Sequence, residues 1–175
     1  ISTKTSIITT VGEVSYELSS ASFFQINSTL TKNLYDEIKN IVALEKPKKV
    51  LDLYTGTGTI AIYIANNCKQ VIGIDYNSSN IDDANKNLIR NHISNVSFIC
   101  DKVENKIDQF KEIDLIIVDP PRSGLDEKTK KYLEKISPTK IIYVSCDPVT
   151  LARDIKDLNN AYDIISIKLF NMFTS

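Results

Sequence analysis

Five short apolar runs recur along the chain: "KKVLDLY" (48–54), "QVIGIDY" (70–76), "VSFIC" (96–100), "IDLIIVD" (113–119) and "KIIYVSC" (140–146). They are rich in Ile and Val and mostly apolar without alternation, as in parallel strands buried on both faces. Amphipathic segments separate most of them. "GTIAIYIANN" follows the first run. "NSSNIDDANKNLIRNH" follows the second, with Asn77 or Ser78 as N-cap and Ile81, Ala84 and Leu88 on one face. "DEKTKKYLEKIS" follows the fourth and stops before Pro138. "PVTLARDIKDL" follows the fifth, with Asp147 placed to cap it and Pro148 at its first position. Strand alternating with helix predicts a doubly wound α/β sheet with helices on both faces. Before it, "TKTSIITTVGEVSYELS" alternates and turns at Gly12, which predicts a β-hairpin. "NSTLTKNLYDEIKNIVAL" carries Leu30, Leu34, Ile38, Ile41 and Val42 at helical spacing, and "YDIISIKLFNMF" predicts a sixth strand.

The 175 residues fit one domain with a sizeable core, and 42% hydrophobic with 25% charged residues is an ordinary globular balance. Net charge is −1, which argues against a free-standing nucleic-acid binder but not against an RNA enzyme with basic contacts elsewhere. Cys68, Cys100 and Cys146 are odd in number and widely spaced, with no CxxC pair. That spacing predicts neither a disulfide framework nor a metal site, and a reducing cytosol is the simpler setting. No apolar run approaches a membrane span.

"LDLYTGTGTIAI" places Gly56 and Gly58 between the first run and its helix, where backbone amides can approach a ligand. Asp75 ends the next run, 17 residues past Gly58, where its carboxylate can accept ribose hydroxyls. Gly56-x-Gly58-x-x-Ala61 also fits a dinucleotide fingerprint, so an NAD-dependent oxidoreductase stays open. Asp52 shifts the balance. A carboxylate four residues before the first glycine suits the cationic sulfonium and amino group of S-adenosylmethionine better than a pyrophosphate. It could equally fix the loop through backbone hydrogen bonds, and both readings can hold.

"VDPPR" ends the fourth run. Pro120 and Pro121 stop the strand and direct Asp119 and Arg122 toward the carboxyl edge, where open α/β sheets bind ligands. Cys146 ends the fifth run just before a helix N-terminus, whose partial positive charge favours thiolate. Asp147 opposes this unless its carboxylate is committed to capping.

With these segments together, the chain resembles the RNA uracil-5-methyltransferase family. "SFFQIN" (22–27), "DLYTGTG" (52–58), "DPPR" (119–122) and "VSCDPVTLARD" (144–154) carry the likeness in the family's order. The resemblance implies a Rossmann-like S-adenosylmethionine-dependent fold over 21–175, preceded by a hairpin remnant over 1–20. It implies cofactor contacts from Gln25, Tyr54, Asp75 and Asp119, and Cys146 as nucleophile. "SCDPVTLARD" is similar to the ribosomal RNA branch more than to the transfer RNA branch. Thr55 stands where the family usually has Cys, and Asp75 where it often has Glu. The family's general base follows a "DMFP" segment; here the text is "NMFTS" and ends at Ser175. The chain therefore reads as a catalytic fragment without its final strand, general base or RNA-binding portion, and is expected to turn over poorly.

The implied chemistry suits a cysteine. Uracil carbon 5 is a poor nucleophile until a thiolate adds at carbon 6, which divides one hard step into easier ones. Arg122 could neutralise the developing enolate, hold a phosphate, or form a structural ion pair. Phe23 and Phe24 could stack on a base but suit a core equally. His92 reads as a solvated helix end, and Cys68 and Cys100 as small packing residues. The same residues also admit a Rossmann-type methyltransferase without cysteine catalysis, or a non-catalytic RNA-binding module.

Overall fold

The computed structural model describes residues 6–19 and 28–171. In chain order the elements are strands β1 (Ser6–Val11) and β2 (Val14–Ser19), helix α1 (Ser28–Glu45), β3 (Lys49–Leu53), α2 (Thr59–Ile64), β4 (Gln70–Asp75), α3 (Ser78–Arg90) and β5 (Val96–Cys100). A one-turn α4 (Val103–Lys106), β6 (Leu115–Val118), α5 (Glu127–Ile136), β7 (Lys140–Tyr143) and α6 (Pro148–Leu158) complete it. The five apolar runs are the five strands of one all-parallel sheet, ordered β5-β4-β3-β6-β7.

Alternation along the central strands feeds two cores. Val50, Leu115 and Ile117 face a cluster completed by Val11 and Tyr16 of the hairpin, Ile38 and Val42 of α1, and Ile60, Ile62 and Ile64 of α2. Leu51, Leu53, Ile116 and Val118 face the opposite cluster, completed by Val103, Ile107, Tyr132, Leu133 and Leu158. Both sheet faces are thus covered, as apolar strands without alternation require. Each fully buried Leu or Ile contributes roughly 1.5–3 kcal/mol to holding these layers.

The hairpin is secured by polar side chains of α3. Asn91 accepts from the Ser15 amide at 3.0 Å and donates to the Ser15 carbonyl at 2.7 Å. Asn87 does the same with Glu17, at 2.7 and 3.1 Å, and Asp83 accepts from the Ser19 amide at 2.8 Å. The edge of β2 that faces away from β1 is thereby paired by helix side chains instead of another strand. Tyr16 also reaches the start of α2, donating to the Thr59 carbonyl at 2.9 Å.

Two expectations need correction. The sixth strand does not form over its described part: residues 162–171 make no strand pairing, and Ile164, Ile165, Ile167 and Leu169 are exposed. Apolarity alone does not make a strand, which needs cross-strand partners; among the described residues none pairs with this segment, although β7 leaves one edge of the sheet open. Cys100 is not a packing residue either. It ends β5, the edge of the sheet, and is exposed. Cys68 does pack, half-buried against the first cluster, and burial pushes its thiol up to about 11.

Candidate active site

The strand order reverses between β4 and β6 on either side of β3, so a crevice opens at the carboxyl ends of these strands. The chain leaves β3 through Tyr54 in the left-handed region (φ 61°), unusual for a bulky residue. The Tyr54 hydroxyl donates to Asp126 at 3.1 Å, beside the capped start of α5. Backbone bonds then close the glycine loop: Thr55 N–H to the Ile74 carbonyl at 3.0 Å, and Gly58 N–H to the Thr55 carbonyl at 2.9 Å. Both glycines have positive φ, but they serve different ends. A Cβ on Gly56 would meet nothing within 4 Å, so this residue faces open space. A Cβ on Gly58 would fall under 3.0 Å from the Phe98 ring, and so would one on Gly73 of β4. The Phe98 ring on β5 fills the room that both glycines leave.

Three carboxylates stand along this edge. Asp75 is buried at the end of β4, accepting from the Gly56 amide at 3.0 Å, the Asn77 amide at 2.8 Å and the Asn80 side chain at 3.3 Å. It ties the glycine loop to the start of α3; Oδ1 takes two of these bonds and Oδ2 one, so Oδ2 keeps a lone pair for a further donor. Asp52 is 1% exposed. Its Oδ2 accepts from the Thr55 hydroxyl, and its Oδ1 has no hydrogen-bond partner among the described residues. Burial, reinforced by the charges of Asp119 and Asp75, pushes its carboxyl up to about 7. Asp119, just past β6, is accessible to solvent yet crowded by protein, as a group lining a recess is; that crowding pushes its carboxyl up to about 7. Its amide still bonds the Leu53 carbonyl at 3.3 Å, which keeps it registered to β3.

The neighbouring strand exit carries the cysteine. Cys146 is exposed, two residues before Pro148 opens α6. The Asp147 amide donates to Ser145 Oγ at 3.1 Å, and the Ser145 hydroxyl donates back to the Asp147 carbonyl at 2.9 Å. Asp147 Oδ1 accepts from the amides of Val149 and Thr150 at 2.9 and 3.0 Å. Its carboxylate is therefore committed to the cap. Those amide bonds, aided by the nearby Arg122 charge, hold it below the usual carboxylate range. Arg122 itself is exposed in the turn after Pro121.

The structure thus brings Asp52, Tyr54, Gly56, Gly58, Asp75 and Asp119 to one edge of the sheet, with Arg122 and Cys146 on the adjoining exits. Gln25, Phe23 and Phe24 lie outside the described residues. His92 is exposed just past the end of α3. Sequence reasoning missed Asn80, whose signal was the polar run opening α3, and the Asp126–Tyr54 bond, which spans 72 residues and leaves no local trace. It also missed Asp154, a fully buried carboxylate on α6.

Comparison with known proteins adds independent findings. Residues 5–175 match the family model for tRNA (uracil-5-)-methyltransferase. An uncharacterized RNA methyltransferase of Halalkalibacterium halodurans is 38% identical over 169 residues, covering 94% of this chain and 36% of that protein. One from Staphylococcus epidermidis is 39% identical over 167 residues, covering 93% and 37%. The Pyrococcus abyssi tRNA (uracil-54, C5)-methyltransferase, solved with S-adenosyl-L-homocysteine, superposes with a TM-score of 0.78 at 36% identity, covering 87% of this chain and 37% of that one. The chain spans just over a third of the length of these relatives.

Proposed function

The chain belongs to the tRNA (uracil-5-)-methyltransferase family, and from that membership we propose that it transfers a methyl group from S-adenosylmethionine to carbon 5 of a uridine in RNA. The observation that carries this reading is Cys146, exposed at the exit of β7 with its following aspartate used up as a helix cap. It stands one strand from the exit that carries Asp119 and Arg122.

The residues fit the methyl donor. Asp52 presents an unpartnered buried oxygen, and Asp119 adds a second carboxylate, a setting that attracts a cationic sulfonium or amino group and repels a pyrophosphate. Asp75 would accept a ribose hydroxyl with the lone pair left on Oδ2, while Gly56 leaves open space above its backbone. Tyr54 and Gln25 are assigned to the same ligand by family resemblance. When bound, S-adenosylmethionine supplies an electrophilic methyl group.

The chain's own chemistry runs through Cys146. Its thiolate adds to uracil carbon 6, and the ring electrons move toward carbon 5 and the carbon-4 oxygen. Carbon 5 then takes the methyl. Loss of the carbon-5 proton to a base expels the thiolate and restores the ring. Arg122 is placed to offset the enolate charge. The target base must leave its stack to reach the cysteine.

The protein from the whole gene, incubated with 5-fluorouridine RNA and S-adenosylmethionine, should yield a covalent protein–RNA adduct that Cys146→Ala abolishes. An adduct that persists in that variant removes Cys146 from the mechanism. Calorimetry should show S-adenosylmethionine binding, weakened at least tenfold by Asp75→Ala. We take ribosomal RNA as the substrate on the "SCDPVTLARD" run. Transfer RNA is the second reading, favoured by the Pyrococcus abyssi relative. Methylation of each purified RNA in parallel decides between them.

A further inference from the structure

Behind the two strand exits lies a hydrogen-bond network that the methyl-transfer reading does not use. Its centre is Asp154, which is 0% exposed. One oxygen accepts from the Leu125 amide at 2.7 Å and from the Tyr143 hydroxyl at 2.7 Å. The other accepts from Arg153 Nε at 3.0 Å and Nη2 at 2.7 Å. Arg153 Nη2 also donates to the Ser123 carbonyl at 2.8 Å. One carboxylate thereby joins three pieces of chain: the end of β7, the body of α6, and the turn after the Asp119-Pro-Pro-Arg122 run.

The turn is shaped for this contact. The Gly124 amide closes it onto the Pro121 carbonyl at 2.8 Å. Gly124 has φ +78°, and a Cβ there would fall under 3.0 Å from both Arg153 Nη2 and Asp154 Oδ2. No side chain fits between the turn and the clamp. Burial opposes the charge on Asp154, but the bonds from Leu125, Tyr143 and Arg153 outweigh it and hold its carboxyl below the usual range. The turn carries Arg122 on the exit of β6, and the neighbouring exit of β7 carries Cys146; the Val144 amide joins the two exits by donating to the Val118 carbonyl at 2.8 Å.

We propose that Asp154 is a positioning residue: it clamps the Pro121–Leu125 turn onto α6 and so holds the Arg122 cation beside the Cys146–Asp147 turn. Its use in catalysis rests on Cys146 being the nucleophile; the clamp itself does not. An exposed, screened charge beside a thiol changes its rate of reaction by about threefold.

The test reads iodoacetamide alkylation of Cys146 at pH 7.5 by peptide mass spectrometry, with exposed Cys100 as internal reference. Asp154→Asn should slow Cys146 about threefold and leave Cys100 unchanged. Arg122→Gln, a surface change that does not endanger folding, should give the same loss, and Arg122→Lys should restore most of it. The double variant should be no slower than either single one. Gly124→Ala, which displaces the turn with the carboxylate intact, should reproduce the effect. An unchanged Cys146 rate in Arg122→Gln overturns the proposal. So do losses that multiply in the double variant, or a parallel rise at Cys100 that marks general loosening. S-adenosylmethionine binding by the unmodified protein, measured separately, tests the methyl-donor reading without touching the clamp.

Discussion

Asp52 should make the protein less stable as pH rises, and replacing it with Asn should relieve this. An aspartate carboxyl titrates near 3.9 in an unfolded chain, whereas burial pushes Asp52 up to about 7 in the fold. Between those values the folded state keeps a proton that the unfolded state has lost. Stability therefore falls as pH rises through this window, and the contribution of Asp52 is most favourable below about pH 4. A difference of about three pH units at ~1.36 kcal/mol each sets a ceiling of about 4 kcal/mol. Asp52→Asn removes the titration but keeps an oxygen for the Thr55 hydroxyl. Urea unfolding followed by circular dichroism at pH 5, 6, 7 and 8 should find the variant more stable by about 2–4 kcal/mol at pH 8. The gap should close as pH falls toward 4. The same carboxylate should act oppositely on ligand binding, because a cationic ligand prefers it ionised. Affinity for S-adenosylmethionine should tighten as pH rises through about 7 in the wild type and less steeply in the variant, where of the two ligand-facing carboxylates raised to about 7 only Asp119 still titrates. A stability gap that is constant across pH, or a wild type that gains stability with pH, refutes the account.

The two loop glycines should respond differently. Gly58→Ala, with φ 73° and a Cβ driven into Phe98, should cost about 3 kcal/mol in urea unfolding. Gly56→Ala meets nothing within 4 Å, so its strained φ should cost only about 1 kcal/mol, while calorimetry shows weakened S-adenosylmethionine binding as the methyl enters the open space. Asn87→Ala leaves the Glu17 amide and carbonyl without their partner and should destabilise by about 2 kcal/mol in the same unfolding assay. Cys146→Ala, at an exposed position, should change stability by less than about 0.5 kcal/mol.

What could be read from the sequence were features with local causes. Runs of buried Ile and Val declared the five strands, and Asn77 and Asp147 declared two helix starts because capping depends on neighbouring amides. Long-range packing left no such trace. Gly58 read as part of a ligand-facing loop and Gly73 drew no reading; both also make room for Phe98, a residue on another strand. Asp75 read as a free acceptor, but the fold already gives it the amides of Gly56 and Asn77. The run over 162–173 read as a strand because pattern reports apolarity, not whether the segment pairs with another strand. Asp154 drew no reading, because its burial depends on Tyr143 and Leu125, which converge on it only when β7, α6 and the turn pack together.

The grip of α3 on the hairpin behaves as a vernier. Going up β2 by two residues, from Ser15 to Glu17 to Ser19, means going back along α3 by four, from Asn91 to Asn87 to Asp83. Four helical residues advance ~6.0 Å, and two strand residues ~6.6 Å. The scales agree to about 0.6 Å at each mark, so the error reaches only about 1.2 Å over three marks, which flexible side chains can absorb. A fourth mark would be out by about 1.8 Å, too far for a direct hydrogen bond without bending one of the elements. The mismatch of two repeat lengths therefore limits how long a strand this helix can hold. A hairpin lengthened by design at this end would need a new partner, however well its sequence alternated.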